Sequence, residues 1–149
     1  MHAIGSASVE ITRENLGFLL AKASQRWNDL LRAGFAEHGF SEVRPSYGSV
    51  LVPLFEEDNL RIGEIARRAR LSKQTMTTMV RLAERDGLVV REQDPEDGRA
   101  IRVRLSDRAL KFAPVAERVL RRLEERVREA LRDSGQQRLR DSLRELAEL

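Results

Sequence analysis

Residues 60–105 read LRIGEIARRARLSKQTMTTMVRLAERDGLVVREQDPEDGRAIRVRL, and this stretch decides the fold. Ile62, Ile65, Ala66 and Ala69 form one short apolar stripe of helical spacing. Leu71 and Ser72 interrupt it, and Met76, Met79, Val80 and Ala83 then form a second stripe. Ser72 is placed to cap the second helix through its hydroxyl. Asp86-Gly87 closes that helix, with glycine in the position that helix C-termini favour. Two short amphipathic helices joined by a tight turn are the helix-turn-helix pattern. Beyond them, Leu88, Val89 and Val90 are strand-like, and Ile101, Val103 and Leu105 alternate with Arg102 and Arg104. Alternation at period two predicts a half-buried strand paired with the run before the turn. The polar stretch DPEDGR, 94–99, is then the tip of a β-hairpin that follows a helix-turn-helix, which is a winged helix.

Working outward, Leu16, Leu20, Ala23, Trp27, Leu30, Leu31 and Phe35 mark one face of a long helix over 12–38, with Gly39 as its stop. A second helix is predicted from Pro45 and Ser46, carrying Tyr47, Val50, Leu51 and Leu54, and Pro53 is expected to kink or end it. The acidic EEDN of 56–59 reads as a loop. After Ser106 the apolar set is Leu110, Ala113, Ala116, Leu120, Leu123, Val127 and Ala130, with Pro114 inside the first turns. Ser134-Gly135 is expected to separate a last helix carrying Leu139, Leu143 and Leu146. The fold class is therefore mainly α with a small β-hairpin wing. A single domain over 1–149 holds a winged helix-turn-helix at 44–105 between long helices at 12–38 and 106–149. Those terminal stripes are too narrow and too charged to form a core alone, so they call for a partner.

Composition agrees. A chain of 149 residues suits one domain with a core of its own. With 41% hydrophobic and 34% charged residues, helices with one apolar stripe and a charged outer face are expected. No apolar run approaches the roughly 20 residues that span a bilayer. The start, MHAIGSASVEITREN, lacks the basic and apolar regions of a secretory signal. The absence of cysteine excludes disulfides, thiol chemistry and Cys-based metal sites. A cytoplasmic protein with no cofactor is the expectation.

The net charge of +3 is unevenly placed. Between Leu60 and Arg81, Arg61, Arg67, Arg68, Arg70, Lys73 and Arg81 face Glu64 alone. Such a cluster is either a solvated helix face or a surface for phosphates, whose condensed counterions each cation releases. Nothing points to an enzyme: the only histidines are His2 and His38, and no G-x-x-x-x-G-K-[ST] loop occurs. His38 with Glu37 and Glu42 reads as a solvated loop rather than a metal site. The rival from another class is a helical scaffold whose wing binds protein. It would show an apolar, uncharged face where this chain has its basic stretch.

The segment LSKQTMTTMVRLAERDGLVVREQDPEDGRAIRVRLSDRA, 71–109, resembles the MarR (multiple antibiotic resistance regulator) family. DGLVVRE leads into the turn Asp97, Gly98, Arg99, Ala100 and then into LSDRA, where Leu105-Ser106 opens the next helix. The likeness extends over roughly 16–149. Arg61 departs from it, standing where relatives often have a Ser or Thr N-cap, and so does Pro53. The resemblance implies a homodimeric repressor whose N- and C-terminal helices interlock. Its two winged regions would face successive major grooves of a pseudo-palindromic operator in double-stranded DNA.

The recognition helix is then Lys73 to Arg85. Its outer face offers Lys73, Gln74, Thr77, Thr78 and Arg81, with Ser72 and Thr75 near its start. Gln74 suits an adenine edge, Thr77 or Thr78 a thymine methyl, and Lys73 and Arg81 the phosphates. Ser72 and the adjoining N–H groups suit a phosphate as well. The resemblance implies that Arg99 enters the minor groove, steadied by Asp97. The alternative is a solution pair with Asp94, Glu96 or Asp97. Relatives often bind a small aromatic or anionic effector between the dimer helices and the winged region. Phe18, Trp27 and Tyr47 are candidates to line such a cleft, with Arg26 or Arg44 meeting a carboxylate. Plain core packing is the other role for those aromatics.

Overall fold

The structure, a computed structural model, describes residues 11–149. His2 and most of the stretch read for a leader lie outside these residues. Helix α1 (Leu16–Glu37) begins where the Asn15 side chain accepts the Phe18 N–H at 2.9 Å. It ends at His38 and Gly39, whose φ of 85° only glycine adopts easily. Pro45–Tyr47 makes a single 3-10 turn that leads into α2 (Gly48–Glu56). Pro53 does not end α2. The helix runs on to Glu56, because the ring packs into the core and offsets the bond its missing N–H cannot make.

Strand β1 (Leu60–Arg61) precedes α3 (Ile62–Ala69) and α4 (Lys73–Arg85), and the wing consists of β2 (Val89–Gln93) and β3 (Ile101–Leu105). The sheet order is β1-β3-β2, antiparallel throughout, with Leu60 opposite Val103 and Val89 opposite Leu105. The hairpin expected from sequence is thus a three-stranded sheet. Two residues of β1 are too few to show alternation, so only the fold reveals them.

One core joins these elements. Ile65, Met76, Val80, Leu88 and Val103 have no exposure at all. From α2 come Val50, Leu51 and Leu54, and from the long helices Leu31, Phe35, Phe112, Val119 and Leu123. Phe35 and Phe112 meet edge to face, centroids 4.7 Å apart. Helix α5 (Asp107–Leu146) starts at Ser106, whose hydroxyl accepts the Ala109 N–H at 3.1 Å. Where α1 crosses α5, a Cβ on Gly34 would lie 2.7 Å from Val119 Cγ1, so glycine sets how closely the helices approach.

Helix α5 is broken at Arg132, with φ 67° and ψ 170°, rather than at Ser134-Gly135. The chain folds back there: Gln136 donates to the Glu124 carbonyl at 3.1 Å, and Arg140 bonds the Glu124 carboxylate at 2.6 Å. Gly135 has another use, since a Cβ on it would lie 3.0 Å from Leu131 Cβ in the returning segment. Leu16, Leu19 and Leu20 of α1, and Leu131, Leu139, Leu143 and Leu146 of α5, are exposed.

Candidate nucleic-acid interface

Helix α4 is fixed at its start by Ser72, whose Oγ accepts the Thr75 N–H at 3.0 Å and donates to Thr75 Oγ1 at 2.9 Å. Met76, Val80 and Ala83 are buried, which fixes the opposite face. Lys73, Gln74, Thr75, Thr78 and Arg81 are exposed there, and Thr77 is half-buried. Both threonines turn their hydroxyls inward along the helix. Thr77 donates to the Lys73 carbonyl at 2.9 Å and Thr78 to that of Gln74 at 3.3 Å.

The wing hangs on a residue that sequence reading left as one of three possible partners for Arg99. The Asp94 side chain has no exposure. Its carboxylate accepts from Arg61 Nε and Arg102 Nε, both at 2.8 Å, and from the N–H groups of Glu96 at 2.7 Å and Asp97 at 3.2 Å. The Glu96 N–H, then the Arg61 guanidinium, hold its carboxyl well below the usual carboxylate range. Arg61 occupies the N-cap position of α3 without a side-chain cap, because its side chain reaches across to Asp94. Thus the departure at Arg61 ties the start of α3 to the wing. No local pattern signals this, since Arg61 lies 33 positions before Asp94. The tip is closed further by Gln93 Nε2 donating to the Gly98 carbonyl at 2.7 Å and Ala100 N–H to Asp97 at 2.9 Å.

Arg99 stands on this tip with its side chain 95% exposed. Its own N–H donates to Asp97 Oδ1 at 3.0 Å, while its Nε lies 3.5 Å from the same oxygen. The second distance is beyond a good hydrogen bond, so the guanidinium is steadied but not bound. Between the start of α3, α4 and the wing lies a cleft of about 590 Å³, bordered by Arg61, Lys73, Thr77, Arg81, Asp97 and Arg99. Arg91 braces its floor by bonding Glu84 at 2.9 Å, joining β2 to α4.

The basic stretch is more self-neutralised than its count suggests. Arg61 faces Asp94, and Arg68 lies 2.9 Å from Glu64 and 2.5 Å from Glu57. Arg67 Nε also bonds Glu64 at 3.0 Å; the two arginines, Arg67 first, pull the Glu64 carboxyl down to about 2. Arg70, in the turn between α3 and α4, reaches Glu148 at 2.5 Å. Lys73 and Arg81 have no carboxylate partner among the described residues. The outward charge therefore sits on α4 and the wing tip.

The effector candidates are placed separately. Phe18 is exposed near the start of α1, with the Lys22 ammonium 5.4 Å over its ring. Trp27 is half-buried against the core, about 14 Å further along the helix. Arg26 and Arg44 are exposed. Tyr47 is 1% exposed and its hydroxyl donates to Asp86, so it ties the start of α2 to the end of α4. Burial, then the bond to Asp86, pushes its phenol up from the ordinary value. Neither the cleft nor a second concavity along α5 includes any of the five. His38 Nδ1 lies 2.8 Å from the Gly34 carbonyl, and Glu42 is bonded to Arg108. Among the described residues no group of three His, Cys, Asp or Glu is placed to hold a metal, and no helix is long and apolar enough to cross a membrane.

Two helices joined by a tight turn, a wing behind them and long helices on either side define a winged helix-turn-helix protein. Residues 45–101 match the model of the MarR family. It is similar to the HTH-type transcriptional repressor YetL of Bacillus subtilis (strain 168), 30% identical over 107 residues, which are 70% of this chain and 62% of that protein. The chain spans less than two thirds of the curated relatives it matches. Among solved structures it resembles the PcaV transcriptional regulator from Streptomyces coelicolor in complex with its natural ligand. The TM-score is 0.77 at 24% identity, covering 95% of this chain and 97% of that one. The transcriptional repressor CouR, bound to a 23-mer DNA duplex, gives a TM-score of 0.76 at 24% identity, covering 95% and 99%. The fold is shared with PcaV and CouR, and by name all three relatives are transcriptional regulators or repressors.

Proposed function

We propose that this chain is a transcription regulator that binds double-stranded DNA, acting as a repressor and as a homodimer on a pseudo-palindromic operator. One observation carries the reading: the outer face of α4, with Lys73 and Arg81 unpaired among the described residues, borders the same cleft as the exposed Arg99 of the wing. A helix of this kind suits a major groove, and an arginine on a closed tip suits the flanking minor groove. Ser72, Lys73 and Arg81 meet phosphates, Gln74, Thr75, Thr77 and Thr78 face base edges, and Asp97 steadies Arg99. The exposed leucines of α1 and α5 supply the face that a second copy covers. CouR is bound to a duplex and YetL is named a repressor, which supports the same reading here.

Release by a small aromatic or anionic effector belongs to this reading, with PcaV as a neighbour that holds a natural ligand. Phe18, Arg26, Trp27 and Arg44 lie on the long helix or beside α2, and Tyr47 links that region to the end of α4 through Asp86. Such a ligand acts only if it binds one dimer shape better than another.

The test is fluorescence anisotropy with the DNA upstream of the chain's own gene, read across salt concentrations with scrambled duplex as competitor. Salt-sensitive binding that outcompetes the scrambled duplex and falls with Arg99→Ala supports the regulator. No duplex binding at low salt sinks it and promotes the protein-binding rival.

A further inference from the structure

Resting on the reading of the chain as a DNA-binding regulator, we infer that its half-site is A·T-directed. Adenine and thymine lie under the first turns of α4, and a narrow A·T minor groove lies under the wing. The argument starts from the donors that α4 presents. In the major groove guanine shows two acceptors, N7 and O6, and so demands donors, most often an arginine or lysine fork. Recognition helices reach base edges chiefly from their N-terminal residues. In α4 the only arginine on the outer face before the last turn is Arg81, eight residues beyond Lys73 and so about 12 Å along the axis.

Thr77 and Thr78 supply no donor either. Each hydroxyl proton is committed to the carbonyl four residues back. What these side chains turn outward is a methyl group and an acceptor lone pair. A methyl suits the thymine C5 methyl, and an acceptor suits the adenine N6 amino group. Gln74, exposed between them at the start of the helix, carries one donor and one acceptor, the pair that adenine N6 and N7 complement. Lys73 is the single strong donor of the first turn. It is the first residue of the helix, beside the Ser72 cap, where the phosphate backbone passes.

The wing agrees independently. Its tip is fixed by Asp94 and Gln93, and it carries one exposed guanidinium, steadied by Asp97. A single arginine on a fixed tip gains most where the groove is narrow and its potential most negative, which is the property of A-tracts.

Selection from random duplexes with the full chain tests this. Enriched sites should carry A·T steps in each half and A·T flanks. Replacing thymine by deoxyuridine under α4 removes only the C5 methyl and should weaken binding about fourfold for each methyl group that α4 covers. The Thr77→Ser/Thr78→Ser variant should bind thymine and deoxyuridine duplexes alike. At the flanks, A·T to G·C replacement should weaken binding. Inosine·cytosine, whose minor groove lacks the guanine amino group, should restore it, and Arg99→Ala should be indifferent to all three. Enrichment of guanine under α4, above all a guanine preference that disappears with Lys73→Ala, overturns the inference while leaving the regulator standing. So does a deoxyuridine duplex bound as tightly as its thymine parent. A chain that enriches no sequence overturns the regulator and this inference together.

Discussion

The winged region and the long helices obey different rules of burial. In the winged region Ile65, Met76, Val80, Leu88 and Val103 are sealed within one chain, and even the Asp94 charge that fixes the wing tip is enclosed and fully bonded. Along the long helices burial fades with distance from that region. In α1, Leu31 and Phe35 near the C-terminal end are buried, while Leu16, Leu19 and Leu20 toward the start are exposed. In α5, Phe112, Val119 and Leu123 are buried, and beyond them Leu131, Leu139, Leu143 and Leu146 are exposed. The winged region is complete as one chain folds, whereas in the proposed dimer the exposed leucines of the long helices are covered by a second copy. In that proposed dimer, whatever changes how two sets of helices meet changes the spacing of the two winged regions.

The largest break in this comparison comes from the helices. Leu143→Glu puts a charge on the exposed leucine row, and the chain should become monomeric at micromolar concentration by analytical ultracentrifugation. Losing two-point attachment should weaken operator binding at least about 100-fold, with helix content kept. A variant that stays dimeric would place the partner-covered face elsewhere. The converse change belongs to the winged region: Met76→Ala empties a fully buried site and should cost about 2–5 kcal/mol in urea unfolding, leaving association untouched.

Gly34 stands where the two long helices cross. Gly34→Ala drives a Cβ into Val119 and should cost about 1–3 kcal/mol, less the small gain in helix propensity. Combining it with Val119→Ala, which clears the space, should give less than the sum of the two single losses. Additive losses would mean that the crossing is looser than 2.7 Å implies.

What could be read in the sequence follows from the range of each interaction. The stripes of α3 and α4, the Ser72 and Ser106 caps and the alternation of β3 are local, and they predict the fold without help. Strand β1 was not legible, because a two-residue pairing leaves no period and depends on Val103 more than forty positions away. The reversal at Arg132 was displaced, since it uses a non-glycine residue at positive φ while the glycine three positions on serves packing. For the site, the outer face of α4 and the exposure of Arg99 are visible from pattern. Asp94 as the hub of the wing is not, because its partners Arg61 and Arg102 come from different strands. Likewise the count of cations before Arg81 conceals that Arg61, Arg67, Arg68 and Arg70 answer carboxylates of the same chain.

Those internal pairs make the smallest and most selective prediction, a dependence of the winged region on acid. Glu64, Asp86 and Asp94 all belong to the winged region, and each is held below its ordinary value by arginines, N–H groups or Tyr47. A carboxyl depressed in the folded state binds its proton more readily when unfolded. Its contribution is therefore present above the ordinary value and is lost as pH falls toward the folded one. For Glu64 that window runs from 4.5 down to about 2. Stability of the winged region should be flat from neutral pH to about 5 and decline below it, with exchange of the Glu96 and Asp97 amides rising as that stability is lost. Amide exchange and urea unfolding across pH 7 to about 2.5 measure both. A decline that starts above about pH 5.5 would mean that these carboxylates do not set the acid sensitivity of the winged region.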